Sequence, residues 1–276
     1  MVAASICWSL GGLCIKFIPW SAMSIIGMRA LLAAVVFAVY RRSVKIDFTP
    51  GNIIAALCLS ATTVLFVLAN KLTTAASAIC LQFSAPLFII LIELFFYRKK
   101  PRLSEFAAVA GTFFGILLFF AGRLEGGALL GNVFAVASGI SFAGVFVCNK
   151  RPDVTPEHSL FLGFVINAVI GMPMVFFEPA AGPLAWGAVL VLGIVQVGLA
   201  YVFFSIGIKR VSALLACLIT ALEPVLNPVW VALFTGETPG IFAIIGGTVI
   251  ILTVVAYNTY TEKQAALDAE RESMTS

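Results

Sequence analysis

From Val2 to Tyr260 the chain runs as ten apolar segments joined by short polar loops, at about 2–17, 23–40, 52–71, 74–97, 105–122, 128–149, 158–178, 184–206, 210–234 and 240–260. A helix rises about 1.5 Å per residue, so roughly 20 apolar residues cross the hydrocarbon core of a bilayer. Inside that core the backbone finds no water, which leaves helices as the solution for apolar segments of this length. Only 11% of the residues are charged, against about a quarter in a soluble domain, so most of the surface is expected to face lipid. The pattern predicts an all-α polytopic membrane protein with ten transmembrane helices.

The basic residues orient it. Loops after the even-numbered segments, together with the C-terminal stretch, hold Arg41, Arg42, Lys45, Arg98, Lys99, Lys100, Arg102, Lys150, Arg151, Lys209, Arg210, Lys263 and Arg271. The opposite side holds Lys16, Lys71 and Arg123. Basic loops stay in the cytoplasm, which predicts a multi-pass protein of the cell (plasma) membrane with both termini cytoplasmic. The net charge of +4 is spread over these loops and gives no reason to expect a nucleic-acid partner. Six cysteines sit in apolar segments without a C-x-x-C pair, and His158 is the single histidine. Neither a metal site, a disulfide framework nor a cofactor is indicated. His158 opens its segment from a polar loop and is expected to be solvated.

The two halves of the chain resemble each other. "NKLTTAASAICLQFSAPLFIILIELFFYRKKP" from Asn70 aligns with "IKRVSALLACLITALEPVLNPVWVALFTGETP" from Ile208, superposing Lys71 on Lys209, Gln82 on Thr220, Pro86 on Pro224 and Pro101 on Pro239. "FAAVAGT" at Phe106 matches "FAIIGGT" at Phe242. Each repeat therefore holds five helices, and an odd number places the second copy upside down relative to the first. The expected division is 1–123 and 124–261, followed by a polar tail, 262–276. Inverted repeats are a transporter architecture, in which two similar units rock about a central site. The small-residue runs "GTFFG" and "AIIGGT" suit close helix contact in the fifth and tenth segments.

The stretch "SALLACLITALEPVLNPVWVALFTGETPGIFAIIGGTVII", residues 212–251, together with the ten-helix pattern and Arg29 in "GMRALLAAVVF", resembles the EamA-type branch of the drug/metabolite transporter superfamily. The first half fits more loosely, with Ala85 where the pattern has Glu and Lys99 where it has the Glu of "G-E". The resemblance implies export of a metabolite and leaves its identity open.

Candidate site residues are polar or aromatic groups far from segment ends. Glu223 is expensive at membrane depth, where an ionisable group usually serves function. Pro224 and Pro228 each free a backbone carbonyl from its helical partner. Glu223, Thr220 and Asn227 are candidates for solute contact or gating, and Pro86, Pro224 and Pro228 for hinges. For Glu223, solute contact, proton-linked switching and capping of a kinked helix all stay open. Gln82, the counterpart of Thr220, joins Gln196, Asn167 and Arg29 in the candidate set. For Gln196 and Asn167, interhelical hydrogen bonding accounts for such amides at least as often as ligand binding. Trp8 and Trp230 could stack on a ligand, although Trp more often packs or anchors at the membrane interface. Glu93 is expected to pair locally with Arg98 or Lys99.

An enzyme would need a nucleophile and base or metal ligands at depth, and a channel would need charged rings or a filter; neither pattern is present. The absence of G-x-x-x-x-G-K-[ST] points to a gradient rather than nucleotide hydrolysis as the driving force. The reading is a secondary transporter, favouring export of an amino acid or amine, with a small-molecule solute and the lipid bilayer as partners. Lipid scrambling or import on the same fold is the alternative, and association into a homodimer stays open.

Overall fold

The computed structural model describes residues 1–15, 17–73, 75–121, 129–235 and 240–275, with side chains except at 12, 13, 75, 76, 227, 228, 231, 232, 234, 235 and 268–275. Lys16, Arg123 and the expected boundary at 123/124 lie outside the described residues. In chain order the helices are α1 (Val2–Trp8), α2 (Gly11–Ile15), α3 (Ala22–Arg41), α4 (Pro50–Leu72), α5 (Ala75–Gln82), α6 (Ala85–Tyr97), α7 (Leu103–Phe119), α8 (Leu129–Cys148), α9 (Pro156–Val175) and α10 (Pro183–Leu190). A π-helical stretch, Val191–Leu199, leads into α11 (Ala200–Ile208), followed by α12 (Ala213–Thr220), α13 (Leu222–Thr235) and α14 (Ile241–Thr275). No strand occurs among the described residues.

Among the described residues, seven helical stretches are long and apolar enough to cross a membrane, with Leu103–Phe119 and Ala213–Leu226 as shorter apolar ones. The ten expected segments map onto ten helical units, some of them broken. Local chemistry sets their starts. Thr49 precedes Pro50 and its Oγ1 accepts from Asn52 N at 3.2 Å. Ser212 accepts from Leu215 N at 3.1 Å. These hydroxyls satisfy first-turn amides that have no helical partner. Through the polar stretch that follows the last apolar segment, α14 continues as helix to Thr275.

Packing follows the exchange of halves that the repeat predicts. α3 packs on its counterpart α9, and α7 on its counterpart α14. The contact of α4 with α8 has its equivalent in that of α11 and the π stretch with α1. The contact of α4 with α9 is likewise matched by that of the π stretch with α3. Two crossings depend on glycine. A Cβ on Gly27 would lie 2.3 Å from the Gly171 carbonyl carbon, and one on Gly171 would lie 2.5 Å from Gly27 N. A Cβ on Gly246 would lie 2.3 Å from Phe119 N. The glycines of "GTFFG" and "AIIGGT" thus do bring α7 and α14 together.

Because backbone stands where the Gly27 side chain would go, Gly27→Ala must separate α3 from α9. We expect it to destabilise the protein by about 1–3 kcal/mol, the usual cost of overpacking. Gly187→Ala, where nothing lies within 4 Å, should leave the melting temperature in detergent unchanged or slightly raised. Equal melting temperatures for the two variants would contradict the close crossing.

Candidate solute site

Six of the side chains the sequence singles out, Trp8, Arg29, Gln82, Asn167, Gln196 and Glu223, line one cavity of about 160 Å³. Trp8 arrives at the end of α1, Arg29 from α3, Thr62, Thr63 and Phe66 from α4, and Gln82 at the end of α5. The second half contributes Phe142 from α8, Phe164 and Asn167 from α9, Gln196 from the π stretch, Tyr201 from α11 and Glu223 from α13. Both halves therefore build it.

Its charges are opposite and open. Arg29, Glu223 and Tyr201 lie close enough to interact electrostatically. Yet the ion pairs among the described residues are Lys99–Glu93, Lys99–Glu105, Arg151–Asp153 and Lys209–Glu157. Arg29 and Glu223 face the same cavity without closing to within 4 Å. Beside them, Gln196 donates from Nε2 to the carbonyl of Trp8 at 3.2 Å, while its Oε1 is buried without a partner. Asn167 Oδ1 is also buried without a partner. A buried acceptor left unpaired costs about 1–3 kcal/mol, so this cavity holds unspent capacity for N–H donors.

The remaining walls are more settled. Gln82 donates from Nε2 to Ser138 Oγ at 2.8 Å, and Ser138 donates to the Thr62 carbonyl at 2.9 Å. Tyr201 meets Trp8 and Phe164 edge-on, at ring separations of 5.0 and 5.3 Å. Sequence reasoning missed Tyr201 together with the wall residues Thr62, Thr63, Phe66, Phe142 and Phe164. For Tyr201 position gave no signal, since its expected segment ends five residues later, at 206.

Other candidates lie elsewhere. Thr220 is fully buried, and its hydroxyl donates to the Cys217 carbonyl at 2.6 Å. Trp230 donates from Nε1 to Ser9 Oγ at 2.7 Å and does not line the cavity. Pro86 and Pro224 follow the breaks between α5 and α6 and between α12 and α13, both buried. One carbonyl near the second break, that of Ile219, accepts from Ser5 Oγ at 3.1 Å. The side chains of Asn227 and Pro228 lie outside the described residues.

Polar contacts tie the bundle at both ends. At the basic end, Lys209 pairs with Glu157 at 2.7 Å. His158, half-buried, also has partners: Arg41 Nη2 lies 3.0 Å from its Nε2, and Asp47 N donates to its Nδ1 at 2.8 Å. Glu93 pairs with Lys99, as expected. At the other end Trp20 donates from Nε1 to the Pro179 carbonyl at 3.1 Å, and Glu178 accepts from Ser21 N at 2.8 Å and from Ser24 Oγ.

An all-helical membrane bundle enclosing a polar cavity between two similar halves is the form of a membrane transporter. The chain matches the model of the EamA-like transporter family over residues 1–121 and again over 129–259, and it belongs to that family. It is 25% identical over 192 residues to an "Uncharacterized transporter" of Archaeoglobus fulgidus, covering 69% of each chain. It is 24% identical over 205 residues to "Uncharacterized transporter YxxF" of Bacillus subtilis, covering 72% of this chain and 66% of that one. A solved crystal structure shares the fold, with a TM-score of 0.78 at 21% identity over 95% of this chain and 96% of the other.

The hydroxyl and amide donors on Glu178 hold its carboxyl below the usual carboxylate range. A depressed folded-state pKa stabilises above the unfolded value, and that contribution is lost as pH falls through the folded value. Glu178→Gln should therefore melt below the parent protein at pH 7, with the gap closing as the medium is acidified toward the depressed Glu178 pKa. Melting curves across pH check this; a gap that stays constant would contradict it.

Proposed function

We propose that the chain is a secondary transporter that exports a small ammonium-bearing metabolite, of the amino acid or amine class, through this cavity. The transporting units are residues 1–123 and 124–261, inserted with opposite orientation in the plasma membrane. Both termini, including the polar stretch 262–276, face the cytoplasm, the side carrying the basic loops. The two units rock about the cavity and open it to each side in turn. The helix breaks beside Pro86 and Pro224 serve as hinges.

One observation carries the substrate class: Arg29 and Glu223 face the same cavity unclosed, beside the unpartnered oxygens of Asn167 and Gln196. An ammonium group supplies N–H donors to Glu223 and to those oxygens, and a carboxylate on the same solute takes the fork of Arg29. The volume agrees with a small solute, since a cavity of roughly 150 Å³ holds a benzene molecule. A gradient drives the cycle, and Glu223 is the group placed to carry a coupled proton.

The test is a thermal-unfolding screen of the purified protein against amino acids, simple amines, carboxylic acids and sugars, with Glu223→Gln alongside. A ligand at a hundred times its Kd stabilises the folded state by about 2.7 kcal/mol. We expect a rise in melting temperature from ammonium-bearing solutes only, reduced or lost in Glu223→Gln. Stabilisation by sugars or carboxylic acids alone, or an undiminished shift in the variant, would overturn the substrate class. Efflux from preloaded vesicles then tests direction.

A further inference from the structure

A second cavity, of about 460 Å³, opens at the basic end of the bundle, between the α6–α7 turn, the α11–α12 turn and α14. Its volume falls in the range of small-ligand sites, roughly 300–1,000 Å³. Three cations and two acids line it, but they are not equally spent. Glu105 accepts from Arg102 N at 3.0 Å and lies 3.5 Å from Lys99 Nζ. Glu262 accepts from Asn258 Nδ2 at 3.0 Å. Lys99 is held between Glu93 and Glu105.

Arg102 and Arg210, both exposed residues, line the cavity and make no ion pair among the described residues. Tyr257, only 6% exposed, faces the same space, and its hydroxyl makes no hydrogen bond among the described residues. Two guanidinium groups without an ion pair and a phenol hydroxyl without a protein hydrogen bond suit the oxygens of a phosphate better than a neutral or cationic group. The surface beside them is apolar: Leu103, next to Arg102, is 84% exposed, and Phe106 is 45% exposed.

We propose that this cavity binds the phosphate of an anionic phospholipid headgroup, with its acyl chains lying along Leu103 and Phe106. Basic pockets between helix ends are a recurring way of holding such headgroups. Bound there, the lipid joins the turn that begins α12 to α7 and α14. Glu223 lies three residues beyond the end of α12, so the lipid steadies a helix that leads directly to the cavity charges. The site is separate from the solute cavity, and the inference stands whatever the solute is.

Purified protein in neutral detergent is titrated with phosphatidylglycerol, phosphatidylcholine or inorganic phosphate, and followed by native mass spectrometry and melting temperature. The variants are R102Q/R210Q, Tyr257→Phe as a milder change, and R98Q/K100Q, which removes the same charge outside the cavity. We expect phosphatidylglycerol to be retained about tenfold more tightly than phosphatidylcholine. That preference should vanish in R102Q/R210Q, weaken in Tyr257→Phe and persist in R98Q/K100Q. Stabilisation by inorganic phosphate with no lipid preference would uphold the anion site and overturn the lipid as its occupant. No preference for any anion, or equal loss in R98Q/K100Q, would overturn the proposal.

Discussion

Backbone that departs from the α-helix is tolerated at membrane depth only where protein buries it or a cavity receives it. Four of the helical units depart in this way, and each does so beside the central cavity. The first breaks directly after Trp8, the fourth directly after Gln82, and the ninth just ahead of Glu223. The eighth winds as a π-helix through Gln196. π segments and proline-linked breaks re-aim side chains and release carbonyls, so the irregular backbone and the polar site arise together. The structure absorbs the released groups locally. Ser5 reaches across to the Ile219 carbonyl. Gly139 of α8 allows the carbonyl of Gln82, freed by Pro86, to approach so closely that a Cβ would lie 2.9 Å from it.

Two opposite charges, Arg29 and Glu223, line that cavity. Desolvating a guanidinium and a carboxylate costs several kcal/mol each, and their mutual attraction offsets part of that cost. At about 4 Å and an effective dielectric of roughly 20, such attraction is worth about 4 kcal/mol. Arg29 and Glu223 stand farther apart than an ion pair, so they collect less than this and leave room between them. The aromatic wall of Trp8, Tyr201 and Phe164 supports that spacing, because its rings are locked edge to face. A pair that closed would be more stable and would leave no site for a solute.

Much of this was legible in the chain. Segment length and scarce charge gave the helical units, and polar groups far from segment ends pointed to Trp8, Arg29, Gln82, Asn167, Gln196 and Glu223, which do converge. What escaped depends on helical phase. Thr220 lies three residues before Glu223, spacing that would share a helix face, but the break at Ala221 interrupts the register and leaves its hydroxyl on Cys217. Trp230 lies beyond the cavity wall, held by Ser9, a partner 221 residues away. His158 reads as a loop residue until Arg41 and Asp47 are brought to it from distant sequence. Tyr201 and the threonines of α4 carry no pattern that separates a cavity-facing residue from an interhelical one.

Arg29 and Glu223 compensate each other across an open cavity, and a double-mutant cycle on stability measures that coupling without any ligand. Removing one partner leaves the other uncompensated, at a cost below the ~3–5 kcal/mol of a closed, buried pair. The prediction is that Arg29→Gln and Glu223→Gln each lower the melting temperature. The double variant should recover to the parent value or above it. Losses that simply add in the double variant would show that the two charges do not see each other, and would contradict the account.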